Sequence, residues 1–125
     1  MAKRKNKTDI SDFLTEIIIK GIQKEKGKNI VSLNLKKIHN SVTDYFIICH
    51  GNSNIQVQSI AESIEAEVNK AVSLKPWHRE GIQNAEWILL DYVDVVVHIF
   101  QENTRNFYNI EKVWADAEII QVEEN

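Results

Sequence analysis

Two β-forming runs, Trp87 to Tyr92 and Asp94 to Phe100, follow one another with almost no connection between them. Branched aliphatic and aromatic residues at this density favour extended backbone, and so short a link makes an antiparallel hairpin the natural pairing. A turn on Tyr92-Val93 would set Leu90 opposite Val95, Ile88 opposite Val97 and Trp87 opposite His98. The two faces of such a hairpin differ. One carries Ile88, Leu90, Val95, Val97 and Ile99, uniformly aliphatic, as a face lying under helices needs to be. The other carries Trp87, Leu89, Asp91, Asp94, Val96, His98 and Phe100, a mixture that suits a protein-binding surface; the plainer reading is a partly solvated outer face. A one-residue change in turn length would scramble this assignment.

The rest of the chain supplies the layers around that hairpin. Asp9 is a plausible N-cap, followed by Ile10, Phe13, Leu14, Ile17, Ile18 and Ile22 at helical spacing and Gly27 as a stop, so a helix is predicted over about 10 to 25. Ile30 to Leu35 alternates, with Val31, Leu33 and Leu35 on one side, and reads as a half-buried strand. Tyr45 to His50 is apolar on both faces and should be central. Ser53-Asn54-Ile55-Gln56 has the form of a capping box, opening a long helix with a stripe of Val57, Ile60, Ala61, Ile64, Val68, Ala71 and Val72 that ends before Pro76. Trp77 to Gly81 is ambiguous, with a short edge strand as one reading. Asn103 or Thr104 caps a last helix with Phe107, Ile110, Trp114 and Ala117 on one face. The expected fold is α/β in the α+β sense: a single domain with a mixed sheet of about five strands and helices mainly on one face. Residues 1–8 are expected to be a disordered basic tail, 9–117 the folded domain and 118–125 a frayed tail.

With 125 residues, 43% of them hydrophobic, the chain can build a core without disulfides or a structural metal. Cys49 is the only cysteine and lies in the run Phe46-Ile47-Ile48-Cys49, so a buried free thiol and a reducing compartment are expected. No apolar segment follows the basic N-terminus, which argues against export, and no stretch approaches membrane-spanning length, so a cytoplasmic location and no membrane contact are expected. Net charge is −3, but Lys3, Arg4, Lys5 and Lys7 stand in the tail; the body keeps 11 basic residues against 18 acidic, or −7. An acidic body is a poor general binder of phosphate backbones, although the basic tail could still make a minor contact with RNA.

Chemical sites are weakly supported. His39, His50, His78 and His98 are scattered, with no pair at metal-ligand spacing, and no nucleophile is placed beside His98. Gly51-Asn52-Ser53 at a strand-to-helix turn, taken with Asp91 and Asp94, is distantly similar to a nucleotidyltransferase site. The carboxylates are three apart across a tight turn, where metal-sharing carboxylates on one strand should stand two apart. No catalytic residue, metal or cofactor is therefore assigned.

The segments Thr43-Asp44-Tyr45-Phe46-Ile47-Ile48-Cys49 and Gly81-Ile82-Gln83-Asn84-Ala85-Glu86-Trp87-Ile88-Leu89-Leu90-Asp91 resemble the ribosomal silencing factor family, also called Iojap-like. Asp94-Val95-Val96-Val97-His98-Ile99-Phe100 and the stretch from Arg105 to Trp114 match as well, so the resemblance runs from about residue 10 to 116 in unbroken order. It implies a topology related to nucleotidyltransferases without their chemistry. It also implies binding to the large ribosomal subunit through large-subunit ribosomal protein fourteen, with steric blocking of subunit joining when nutrients are scarce. The family's partner-binding surface includes a sheet tryptophan, which lands on Trp87; Leu89, Asp91, His98 and Phe100 extend it through the face argument. An acidic body suits a basic ribosomal protein as target. Val93 stands where the family commonly has glycine, and His50 and Asn52 replace smaller or hydroxyl residues. The rival readings are an enzyme with a degenerate nucleotide site and a homodimeric adaptor that uses the same face.

Overall fold

The computed structural model describes residues 7–124. The elements run α1 (Lys7–Lys24), β1 (Lys28–Asn34), β2 (Tyr45–Gly51), α2 (Asn54–Val72), β3 (His78–Glu80), β4 (Trp87–Asp91), β5 (Val95–Gln101), α3 (Glu102–Tyr108), α4 (Ile110–Val113) and β6 (Glu118–Gln121). Among the described residues the strands form one sheet in the order β3-β4-β5-β2-β1-β6, and only β2 and β5 pair in parallel. β2, apolar on both sides, takes the central place that its composition predicts.

The aliphatic face lies under α1 and α2. Ile47, Cys49, Ile88, Leu90, Val95, Val97 and Ile99 meet Leu14, Ile18 and Ile22 of α1 and Val57, Ile60, Ile64 and Val68 of α2. The helices themselves cross closely at Gly21, where a Cβ would stand 2.9 Å from the Ile64 Cα. The capping box forms as predicted at its first half: Ser53 Oγ accepts from the Gln56 amide at 3.1 Å. The glutamine reaches back one residue further than the motif requires, its Oε1 accepting from the Asn52 amide at 2.7 Å. Its Nε2 then donates to the carbonyls of Glu25 and Lys26, so one side chain joins the end of α1 to the start of α2.

Several expectations need correction. α1 begins at Lys7, ahead of the expected Asp9 cap, so the end of the predicted 1–8 tail is helical; residues 1–6 of that tail lie outside the described residues. The predicted last helix is two short ones, broken at Asn109, whose φ of 47° places it in the left-handed region. Its start is capped by Gln101, with no side-chain bond, and neither Asn103 nor Thr104 is the cap. The break turns Phe107 outward, to 80% exposure, while Ile110, Trp114 and Ala117 pack inward. Of the expected frayed tail, residues 118–121 form β6, which pairs with β1 from Val31↔Gln121 to Asn34↔Glu118 and brings the strands to six. Alternation alone could not find so short an edge strand, since all of its residues are exposed.

The register of the β4–β5 hairpin is Leu90↔Val97, Leu89↔His98 and Trp87↔Phe100, two residues away from the expected one. Asp91 Oδ1 accepts from the Val93 amide at 2.7 Å, Val93 adopts a φ of 75°, and the Tyr92 amide still reaches the Val95 carbonyl. The turn therefore sits on Val93-Asp94. A slip of two preserves which side chains share a face, so both predicted faces survive.

Candidate partner-binding face

The face turned away from α1 and α2 is built differently on its two halves. Over β1, β2 and the end of β5 it is closed: Val31, Leu33, Leu35, Ile48, Phe100 and Ala117 form a second, smaller core with Ile110 and Trp114, and Phe46 and Trp87 at its edge, packed on it. Arg105 holds this cover in place. Its buried guanidinium donates to both oxygens of Glu111, to the Asn29 carbonyl at 2.8 Å and to His50 Nδ1 at 3.0 Å. Burial, and then the Arg105 charge, hold the His50 pKa below its ordinary value. Nothing in the spacing of the sequence singled out Arg105, because its partners lie on three separate elements.

Towards β4 the same face is partly open, with the β5 side chains buried beneath. Trp87, Leu89 and Asp91 alternate outward along β4, each half-buried. Gly81, with a φ of 77°, makes this possible: a Cβ there would fall 1.9 Å from the Trp87 carbonyl oxygen, so only glycine lets the β3–β4 loop lie against that strand. Trp87 is the centre of a ring cluster. Its centroid lies 4.8 Å from Phe100, 5.0 Å from Tyr108 and 5.8 Å from His98, and Phe46 meets His98 edge-on at 4.7 Å.

All of the predicted site residues share this face, but not equal access. Trp87, Leu89 and Asp91 reach solvent, whereas His98 is 5% exposed and Phe100 fully covered. The expected direct contacts of His98 and Phe100 are corrected accordingly: Trp87 lies over Phe100, and both β5 side chains support the face from beneath. His98 Nδ1 accepts from Trp87 Nε1 at 3.1 Å, and burial alone pushes its pKa down to about 4. It is thus a neutral acceptor that fixes the indole, with its proton on Nε2, a buried atom with no partner among the described residues. Cys49, on the opposite face, is a buried thiol whose pKa burial raises to about 12.

Three hollows follow one another across the open region, each with a carboxylate beside an aromatic or aliphatic wall. The first is lined by Asp91 with Val42, Thr43, Trp77, Val93 and Val96. The second is lined by Glu80 with Gly81, Trp87 and Leu89, and the third by Glu86 with Phe107 and Tyr108 among others. Carboxylates set against aromatic faces are the chemistry that receives lysine and arginine side chains. The sequence reading missed Trp77, Phe107 and Tyr108, since each stands outside the hairpin pattern that drew attention to Trp87. Among the described residues, no three His, Cys, Asp or Glu side chains converge as a metal site would need, and no helix is long and apolar enough to cross a membrane.

One sheet face sealed by α1 and α2, and a second that is covered over β1 and β2 but carries aromatic and acidic side chains towards β4, describe a small α+β domain. Comparison with known proteins gives that domain its family: the model described as "Ribosomal silencing factor during starvation" matches residues 7–125, and the chain belongs to this family. A protein of Halalkalibacterium halodurans named ribosomal silencing factor is 38% identical over 110 residues, 88% of this chain and 92% of its own length. Its Bacillus subtilis counterpart is 43% identical over 94 residues, 74% of this chain and 77% of that one. A crystal structure of a protein from Chromobacterium violaceum superposes with a TM-score of 0.79 at 32% identity, covering 83% of this chain and 85% of that one. A more distant mouse relative, 23% identical over 82% of this chain and 45% of its own length, is named for mitochondrial assembly of the ribosomal large subunit.

Proposed function

We propose that this chain acts in the cytoplasm by binding the large ribosomal subunit through the partly open face towards β4. The occupant of the face is large-subunit ribosomal protein fourteen, and the bound chain sterically blocks the small subunit, lowering translation under nutrient limitation. The mechanism is exclusion, with no covalent step and no cofactor. The observation that carries this reading is the contrast within one sheet: the half under α3 and α4 is sealed, while the half around Trp87 leaves aromatic hollows open, each with a carboxylate. A large apolar face rimmed by charge marks an interaction site. The negative rim suits a basic ribosomal protein, and it opposes itself across a two-fold contact, which favours that partner over a second copy of this chain. The name of the mouse relative supports the choice of subunit.

Sedimentation through sucrose with purified subunits tests the proposal. The chain should travel with free large subunits, stay behind when only small subunits are present, and lower the yield of joined ribosomes in proportion to its occupancy. A chain that remains at the top of the gradient with large subunits in excess would overturn it.

A further inference from the structure

The hollow beside the β4–β5 turn is unlike the other two. Its walls are unusually exposed for apolar residues, with Val42 at 89%, Trp77 at 78% and Val93 at 52%. Its volume of about 290 Å³ is at the small end for a ligand site, a size suited to a single side chain. On its inner side stands Thr43, 4% exposed, whose Oγ1 is buried without a hydrogen-bond partner among the described residues. An unpartnered buried hydroxyl costs free energy unless something completes it. Asp91 lines the same hollow, its Oδ1 accepting from the Val93 amide at 2.7 Å. A hydroxyl, a carboxylate and an indole lining one hollow ask for a planar cation that donates in several directions. Guanidinium does this; an ammonium makes point contacts and stacks less well.

We infer that this hollow receives a single arginine side chain of the protein partner. The guanidinium lies against Trp77 and donates to Asp91 and to Thr43 Oγ1, and its methylene stem covers Val42, Val93 and Val96. The identity of the partner as a basic ribosomal protein rests on the reading given under Proposed function; the hollow's preference for arginine rests on its own residues. It places the second anchor of the interface at Trp77, at the opposite end of β4 from Trp87: the Trp77 amide bonds the Asp91 carbonyl at 2.7 Å.

The test has two arms. In the first, the free protein is titrated with N-acetylarginine amide while its amide and indole NMR signals are followed, with N-acetylnorleucine amide as the uncharged control. Saturable shifts should appear at Thr43, Val93, Val96 and the Trp77 indole, be absent with the control, and vanish in Asp91→Asn. Shifts that are scattered, equal for both probes or unaffected in Asp91→Asn overturn the inference. In the second arm, Asp91→Asn, Thr43→Val and Trp77→Ala are sedimented with large subunits. Each should weaken binding by about tenfold or more at unchanged thermal stability, the loss expected for one desolvated charge-assisted contact. Variants that bind like the wild type, while Trp87→Ala does not, remove the arginine and leave the proposed function standing. A wild type that ignores large subunits but still takes up the arginine probe does the reverse.

Discussion

The same strands make both faces of the sheet, yet one face is aliphatic and sealed and the other is aromatic and partly open. Ile88 and Leu89 show the difference at adjacent positions: Ile88 is fully buried beneath the helices, and Leu89 looks out into the hollow beside Trp87. A face that only has to exclude water needs shape and volume, which branched aliphatics supply. A face that has to hold a partner keeps rings, hydroxyls and carboxylates, and tolerates exposure that a core would not. Stability should therefore reside on the first face and binding on the second.

The largest effect that would break this division is at Ile88. Ile88→Ala should cost about 3–4 kcal/mol in urea unfolding, as a cavity under two helices does, whereas Leu89→Ala should cost less than about 1 kcal/mol. Equal losses would show that both faces are core. Next comes acid. The folded pKa of His98, about 4, lies below its ordinary value, so the unfolded chain binds the proton more readily. Stability is then full above about pH 6.5 and falls as the pH drops towards 4, by up to roughly 3 kcal/mol. His98→Gln, which keeps an acceptor for the indole, should flatten that slope in unfolding measured across the range, although His50, shifted in the same direction, will retain part of it.

Trp87→Ala follows. Large-subunit binding should weaken by roughly thirtyfold, about 2 kcal/mol, in a protein that still unfolds cooperatively. Thermal unfolding and binding are best read on one sample; a variant that cannot fold would return Trp87 to the core. The smallest effect is at the turn. Val93 holds a φ of 75°, where a β-branched residue is strained, so Val93→Gly should raise stability by about 0.5–1 kcal/mol, or a few degrees in Tm.

Much of this was legible in the sequence because side-chain parity is robust. The hairpin faces followed from alternation alone and survived a register error of two residues, since only an odd slip would have exchanged them. α2 was readable from its stripe and its capping box, which are local signals. What failed was non-local. The break at Asn109 depends on Ile110 and Trp114 finding a pocket over β1 and β2, and β6 exists only because β1 offers it an open edge. For the candidate site, alternation put Trp87, Leu89 and Asp91 on one face, as the fold has them, but the depth of His98 and Phe100 depends on ring packing that no spacing rule encodes. Trp77 escaped because its role comes from the loop at Thr43 and the turn at Val93, brought together only in the fold.

The pairing of β6 with β1 has a consequence for the chain as it is made. Ser32 lies opposite Ile120, so the first strand of the sheet in chain order waits for the last one. Until residues 118–121 emerge, β1 presents a row of unpaired backbone groups, the kind of template on which nascent chains associate. Ribosome-bound intermediates halted before that point should be more prone to aggregate, and more dependent on chaperones, than those carrying a few residues more.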